Sequence, residues 1–160
     1  MTVARFGHVS PAQYDRDCPQ PDRLPLAQVP LPRRATAGSA GYDFTCTLPV
    51  TLAPGESALI PTGIRCEMEP GWVLLLFPRS SLGFKHNVRL ANTVGVIDSD
   101  YSHAANEGHI MVKLFNAGDH TVTLAAGERF CQGLLLPHGL AEEEETSADR
   151  VGGFGSTGTR

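Results

Sequence analysis

The chain has 160 residues, 41% of them apolar and 19% charged, which suffices for one packed core and is too apolar for a wholly disordered chain. A net charge of −4 argues against a general nucleic-acid binder, which carries a basic excess. The longest purely apolar run, Trp72 to Phe77, is too short to span a membrane, and the N-terminus (MTVARFGHVSPAQYDRD) has no apolar signal segment, so a cytoplasmic or nuclear setting is expected.

The first 32 residues hold Pro11, Pro19, Pro21, Pro25, Pro30 and Pro32. Such a density of proline predicts an extended or partly disordered arm leading into a first strand near Leu24–Val29. From residue 45 onward, glycines recur at positions 55, 63, 71, 83, 95, 108, 118 and 127. Between them lie TCTLPVTL, SALIPTGIRCEM, WVLLLF, IMVKLF, HTVTLAAG and RFCQGLLLP, each alternating or briefly all-apolar. None keeps a helical period over three turns, and one helical turn is expected, at Ser80–Lys85. Regular short strands with glycine turns predict an all-β sandwich, jelly roll or barrel. Cys18, Cys46, Cys66 and Cys131 are widely spread, with no C-x-x-C pair, and are expected as reduced thiols. The chain ends in an acidic run, Glu142–Glu145, and a glycine-rich tail.

Five short segments carry groups suited to chemistry. Ala40-Gly41-Tyr42-Asp43 sets a carboxylate after a bend. Pro78-Arg79-Ser80-Ser81-Leu82-Gly83 offers a guanidinium, two hydroxyls and turn N–H groups, a set that matches phosphate oxygens. Asn92-Thr-Val-Gly95-Val96-Ile97-Asp98-Ser-Asp100-Tyr101 delivers two carboxylates and a tyrosine into a turn, with IMVKLF returning as the second strand. Carboxylates at i and i+2 on an extended chain share a face, so one can do chemistry while the other is held structurally. Gly127-Glu-Arg129-Phe-Cys-Gln132 is a tight turn into a strand with a polar amide. The tail segment Gly153-Phe154-Gly155-Ser156-Thr157-Gly158 matches G-x-G-x-x-G but has no strand before it or helix after it, so the dinucleotide fingerprint does not apply.

Taken in order, SAGYD, PRSSLG, NTVGVIDSDY, GERFCQ and GGFGSTG resemble the five motifs of the homotrimeric dUTP pyrophosphatase (dUTPase) family, and the likeness covers residues 24–160. The resemblance implies a jelly-roll domain over 24–140, preceded by a Pro-rich extension (1–23) and followed by a flexible arm (141–160) that completes the active site. It implies a homotrimer with shared sites that hydrolyses dUTP to dUMP and pyrophosphate with Mg²⁺, keeping uracil out of DNA and supplying dUMP for dTMP synthesis. Asp98 matches the catalytic base, and Asp43 the carboxylate that holds a metal-bound water. Arg79, Ser80, Ser81 and Gln132 match phosphate-binding positions, as do Arg150, Ser156 and Thr157 in the arm. Asn92, Gly95, Val96 and Ile97 with Met111 resemble a hairpin that reads uracil through backbone groups. Tyr101 matches the ring that packs on deoxyribose and excludes a 2′-hydroxyl, and Phe154 the aromatic that stacks on the base.

Two departures from the family pattern stand out: six residues, Ser102 to Glu107, separate Tyr101 from Gly108 where the family has one, an apparent five-residue insertion, and the arm is one residue shorter between Arg150 and Phe154. An inactive scaffold of the same fold is disfavoured because the catalytic groups are present. A dCTP deaminase of that fold is disfavoured by the tyrosine-bearing hairpin and the tail.

Overall fold

In a computed structural model that describes residues 2–142, the strands are β1 (Ala4–His8), β2 (Arg33–Arg34), β3 (Tyr42–Thr45), β4 (Val50–Leu52), β5 (Ser57–Pro61), β6 (Ile64–Met68), β7 (Trp72–Pro78), β8 (Val88–Leu90), β9 (Gly95–Ile97), β10 (Met111–Asn116), β11 (Val122–Leu124) and β12 (Arg129–Pro137). Two short helices, α1 (Pro11–Asp17) and α2 (Ser80–His86), and two 3-10 turns, Leu26–Gln28 and Ser99–His103, complete the described residues. The all-β jelly-roll expectation holds. The largest sheet runs β2-β3-β12-β7-β9, a second runs β5-β10-β8, and β1-β6 and β11-β4 form antiparallel pairs.

The side-chain period explains the layers. Strands β4, β8, β9 and β11 each bury their outer two residues and expose the middle one, as a half-buried strand must. In β7, flanked by β12 and β9, Leu74 and Leu76 are fully buried and meet Phe44, Phe130 and Ile97 in one core. Each such side chain contributes about 1.5–3 kcal/mol through burial. All four cysteines are buried free thiols; burial pushes Cys46 up to about 11, and Cys66 and Cys131 up to about 12. Among the described residues no helix is long and apolar enough to cross a membrane.

Four expectations need correction. The Pro-rich arm is not extended: β1 pairs with β6 along its whole length, and α1 buries Tyr14 in the core beside Val9 and Cys18. Residues before 24 therefore share the core of the β domain. The expected strand at Leu24–Val29 is a 3-10 turn, because Pro25 caps it and Gln28 and Val29 donate back to the Pro25 and Leu26 carbonyls. The segment around Asp98 and Met111 is not a hydrogen-bonded hairpin, since β9 pairs with β7 while β10 pairs with β5 and β8. Nor is the chain extended after Asp98: it winds into the 3-10 turn, which removes the shared-face argument for Asp98 and Asp100.

Candidate active site

Three neighbouring strands of the large sheet converge on a cleft of about 400 Å³ lined by Gly41, Asp43, Arg79, Ser80, Ser81, Arg129 and Gln132, among others. Register explains the meeting. Gln132 lies opposite Asp43 on β3 and opposite Phe77 on β7, so its amide sits between the two flanking strands. Strand β7 ends at Pro78 and α2 begins at once with Arg79 as its N-cap, which carries Ser80 and Ser81 to the rim. The helical turn expected at Ser80–Lys85 is this helix, one residue longer.

The Asp43 side chain, 14% exposed, is held by two guanidinium groups. Arg129 Nη1 donates to its Oδ2 at 2.9 Å, and Arg79 Nε lies 3.6 Å from Oδ1. Arg79 also donates from Nη1 to the Arg129 carbonyl at 3.4 Å, while Gln132 Nε2 donates to the Pro78 carbonyl at 3.4 Å. Two arginines against one aspartate leave the lining with net positive charge, and guanidinium forks fit phosphate oxygens.

Sequence reasoning missed Arg129. On a regular strand, residues three apart face opposite sides, so Arg129 and Gln132 should not meet. A β-bulge between Arg129 and Cys131 inserts the extra residue that turns both toward one cleft. The turn-then-strand motif with Arg and Gln at this odd spacing was the available signal.

A second cavity, about 340 Å³, is lined mainly by apolar side chains: Leu59, Leu76, Leu90, Met111 and Val112, with Asn92 and Gly95 beside them. Its wall at Gly95 is tight, since a Cβ there would lie 3.0 Å from Leu76 Cβ. Of the residues expected at base and sugar, Asn92, Gly95 and Met111 line this cavity. Val96 is exposed on the other face of β9, Ile97 is buried in the core, and neither lines it. Tyr101 is only 2% exposed; its hydroxyl donates to the His109 carbonyl at 2.9 Å and accepts from Asn106 Nδ2 at 2.8 Å. Asp98 is partly buried, caps the 3-10 turn, and accepts the Tyr101 N–H on its carbonyl at 3.1 Å. It lines neither cavity, and the two cavities have no lining residue in common. Arg150, Phe154, Ser156 and Thr157, with all but the first two residues of the 141–160 arm, lie outside the described residues.

Among the described residues no three His, Cys, Asp or Glu side chains cluster as a metal cage. A single carboxylate, Asp43, stands in the positive cleft. That donor set suits a Mg²⁺ ion whose remaining ligands are phosphate oxygens and water, and it suits no ion that needs a protein cage.

A jelly roll that carries a guanidinium-walled cleft and a separate apolar cavity is a scaffold suited to a nucleotide polyphosphate. The dUTPase family model matches residues 27–158, and the chain belongs to that family. It is 44% identical over 141 residues to the deoxyuridine 5′-triphosphate nucleotidohydrolase of Hahella chejuensis, covering 83% of this chain and 90% of that protein. The enzyme of the same name from Lactococcus lactis is also 44% identical, over 135 residues, with 82% and 90% covered. Among solved structures, the dUTPase of Streptococcus mutans aligns with a TM-score of 0.68 at 38% identity, over 86% of this chain and 98% of that one. A dUTPase mutant from phage phi11 of S. aureus, whose structure details the coordination of a structural Mg(II) ion, shares the fold with a TM-score of 0.68 at 18% identity, over 92% and 98% of the two chains.

Proposed function

We infer that this chain hydrolyses dUTP to dUMP and pyrophosphate. The observation that carries the chemistry is the pairing of a net-positive cleft, built from Arg79, Arg129, Ser80, Ser81 and Gln132, with a separate apolar cavity. Family membership names the nucleotide.

A triphosphate brings several negative charges to a cleft where Asp43 presents one, so its oxygens compete for the Arg79 and Arg129 forks. Charge neutralisation and positioning carry most of phosphoryl transfer. Asp98 accepts a proton from the attacking water as oxygen bonds to the α-phosphorus and the bond to the α,β-bridging oxygen breaks. Pyrophosphate leaves into the arginine-lined cleft, and the proton passes from Asp98 to solvent. Asp43 is the protein group that would hold Mg²⁺ through water, and the ion, when bound, would supply further charge neutralisation on the phosphates.

The apolar cavity formed by Gly95, Leu76, Met111 and Asn92 is the proposed uracil site, and rejection of thymine there would come from a clash with its methyl. Tyr101 is the wall beside the sugar.

Because Asp98 lines neither cavity and the cavities share no lining residue, the described residues of one chain do not gather base, phosphates and base catalyst at one point. This separation supports a homotrimer in which different copies supply the parts, with Arg150, Phe154, Ser156 and Thr157 of the arm completing the site. The test is pyrophosphate release from dUTP, dCTP, dTTP and UTP, each with and without Mg²⁺, together with light scattering for mass. Selective, Mg²⁺-dependent release from dUTP by a trimer supports the reading; equal release from dCTP, or an active monomer, overturns it.

A further inference from the structure

The N-terminal unit and the insertion after Tyr101 grip each other at two points. Glu107 holds φ at 60°, a left-handed conformation that side chains adopt only where contacts enforce it. Its carboxylate is bidentate on Ser10: Oε2 accepts the Ser10 N–H at 2.7 Å and Oε1 accepts the Ser10 hydroxyl at 2.6 Å. The same Ser10 oxygen caps α1 by accepting the Gln13 N–H at 3.1 Å.

Two residues further on, His109 is completely buried. Gly63 N–H donates to its Nε2 at 2.8 Å, which leaves the ring proton on Nδ1, facing Asp17 Oδ2 at 2.6 Å. Asp17 is the last residue of α1, so the loop clasps the helix at both ends. Between the two clasps lies the tyrosine. Asn106 donates to the Tyr101 hydroxyl, and that hydroxyl donates to the His109 carbonyl. Tyr101 N–H in turn reaches the Asp98 carbonyl.

We propose that the N-terminal helix and the 102–110 loop form one buckle that fixes Tyr101, which makes Asn106 and Glu107 positioning residues for exclusion of a 2′-hydroxyl. This rests on the reading of Tyr101 as the sugar wall. A tyrosine locked on both sides of its hydroxyl cannot retreat to admit an extra oxygen, whereas one released from the buckle can. The five-motif pattern holds Tyr101 and Asp98 but not Ser10, Asn106, Glu107 or His109, and none of these residues lines either cavity.

The experiment compares kcat/KM for dUTP and UTP in the full-length chain and in Asn106→Ala, Glu107→Ala, Glu107→Gln, Ser10→Ala and Tyr101→Ala. Thermal melts confirm which variants are folded, and Ser10→Ala serves where a loop variant is not. The dUTP-over-UTP ratio is expected to fall ~fivefold in Asn106→Ala and Glu107→Ala, the factor that loss of one ordinary hydrogen bond converts to. It is expected to fall in the same direction in Ser10→Ala and to recover largely in Glu107→Gln, which keeps an acceptor. A merely structural role lowers both substrates together and leaves the ratio unmoved. An unchanged ratio in the loop variants and Ser10→Ala, with a fall in Tyr101→Ala, overturns the buckle and leaves the sugar wall standing. An unchanged ratio in Tyr101→Ala as well overturns both.

Discussion

Replacing Gly41 by alanine is a steric test of where Gln132 works. A Cβ at this position would lie 2.7 Å from Gln132 Oε1 and 3.6 Å from its Cβ and Cδ. The amide oxygen must therefore retreat by about 0.7 Å to reach the 3.4 Å of ordinary contact. The amide is the flexible end of a partly buried side chain, and the bond it donates to Pro78 is a long 3.4 Å, so it turns away at small cost. Gly→Ala gains about 0.4–1 kcal/mol from the unfolded state where the backbone tolerates it, which offsets part of that cost. The net change in stability should stay within about 1 kcal/mol, a few degrees in Tm at most. The loss of function is larger. A hydrogen bond to a charged phosphate is worth ~1.5–3 kcal/mol, which converts to a ~10- to 150-fold fall in kcat/KM for dUTP. Pyrophosphate release and a thermal melt on Gly41→Ala, Gln132→Ala and the double variant read this directly. The two changes remove the same contact, so the double variant should be no worse than Gln132→Ala. Wild-type kinetics in Gly41→Ala alongside a crippled Gln132→Ala would refute the steric reasoning, and additive losses would show that Gly41 acts on something else.

Gly108→Ala should behave in the opposite way, as a stability variant. Gly108 has φ 71°, and a Cβ there would meet Ser102 Cα at 2.6 Å and the Tyr101 carbonyl oxygen at 2.8 Å, backbone that cannot turn aside. Left-handed strain of ~1–2 kcal/mol plus overpacking of ~1–3 kcal/mol predicts a loss of about 2–5 kcal/mol by urea unfolding, and a loss under about 0.5 kcal/mol would contradict it. Acid sensitivity follows from His109, whose burial holds it below its ordinary value of 6.5 even though the Asp17 carboxylate pulls the other way. Below pH 6.5 the unfolded chain takes up a proton that the folded chain refuses, so stability should fall as pH drops from about 7.5 to about 5.5. This window lies above the one for Glu67 and Glu107, whose carboxyls are held below 4.5 by Arg5 and Ser10 and lose their contribution only at still lower pH. Identical urea midpoints at the two pH values would contradict the neutral, buried His109.

The parts of the fold and site that were legible in sequence share a local cause. Glycine turns cut the chain into strands of the right length, and Asp43, Gln132, Arg79, Ser80 and Ser81 came together because β3, β12 and β7 are neighbours in one sheet: Gln132 lies opposite Asp43, and Arg79, Ser80 and Ser81 follow directly on the end of β7. Arg129 was hidden because a bulge, a tertiary irregularity, reversed the face that its spacing implied. The hairpin around Asp98 failed because the chain winds into a 3-10 turn directly after Asp98, and β9 and β10 take different partners, β7 for the one and β5 and β8 for the other. Helix α1 has only seven residues, too few for a hydrophobic period, although Ser10 at the N-cap, Pro11 behind it and Gln13 three residues on are a readable start signal. Its packing partners, Glu107 and His109, lie more than 90 residues away along the chain, beyond any local pattern.

The most direct test of the central claim is turnover and binding of dUTP by Asp98→Asn. The amide keeps the shape of the carboxylate and cannot accept the proton of the attacking water, and general-base catalysis contributes ~10²–10⁴-fold. Turnover should fall by at least that factor while dUTP still binds with near wild-type affinity by calorimetry, and Asp100→Asn should stay active. Near wild-type turnover in Asp98→Asn, with the loss appearing in Asp100→Asn instead, would contradict the assignment of the base.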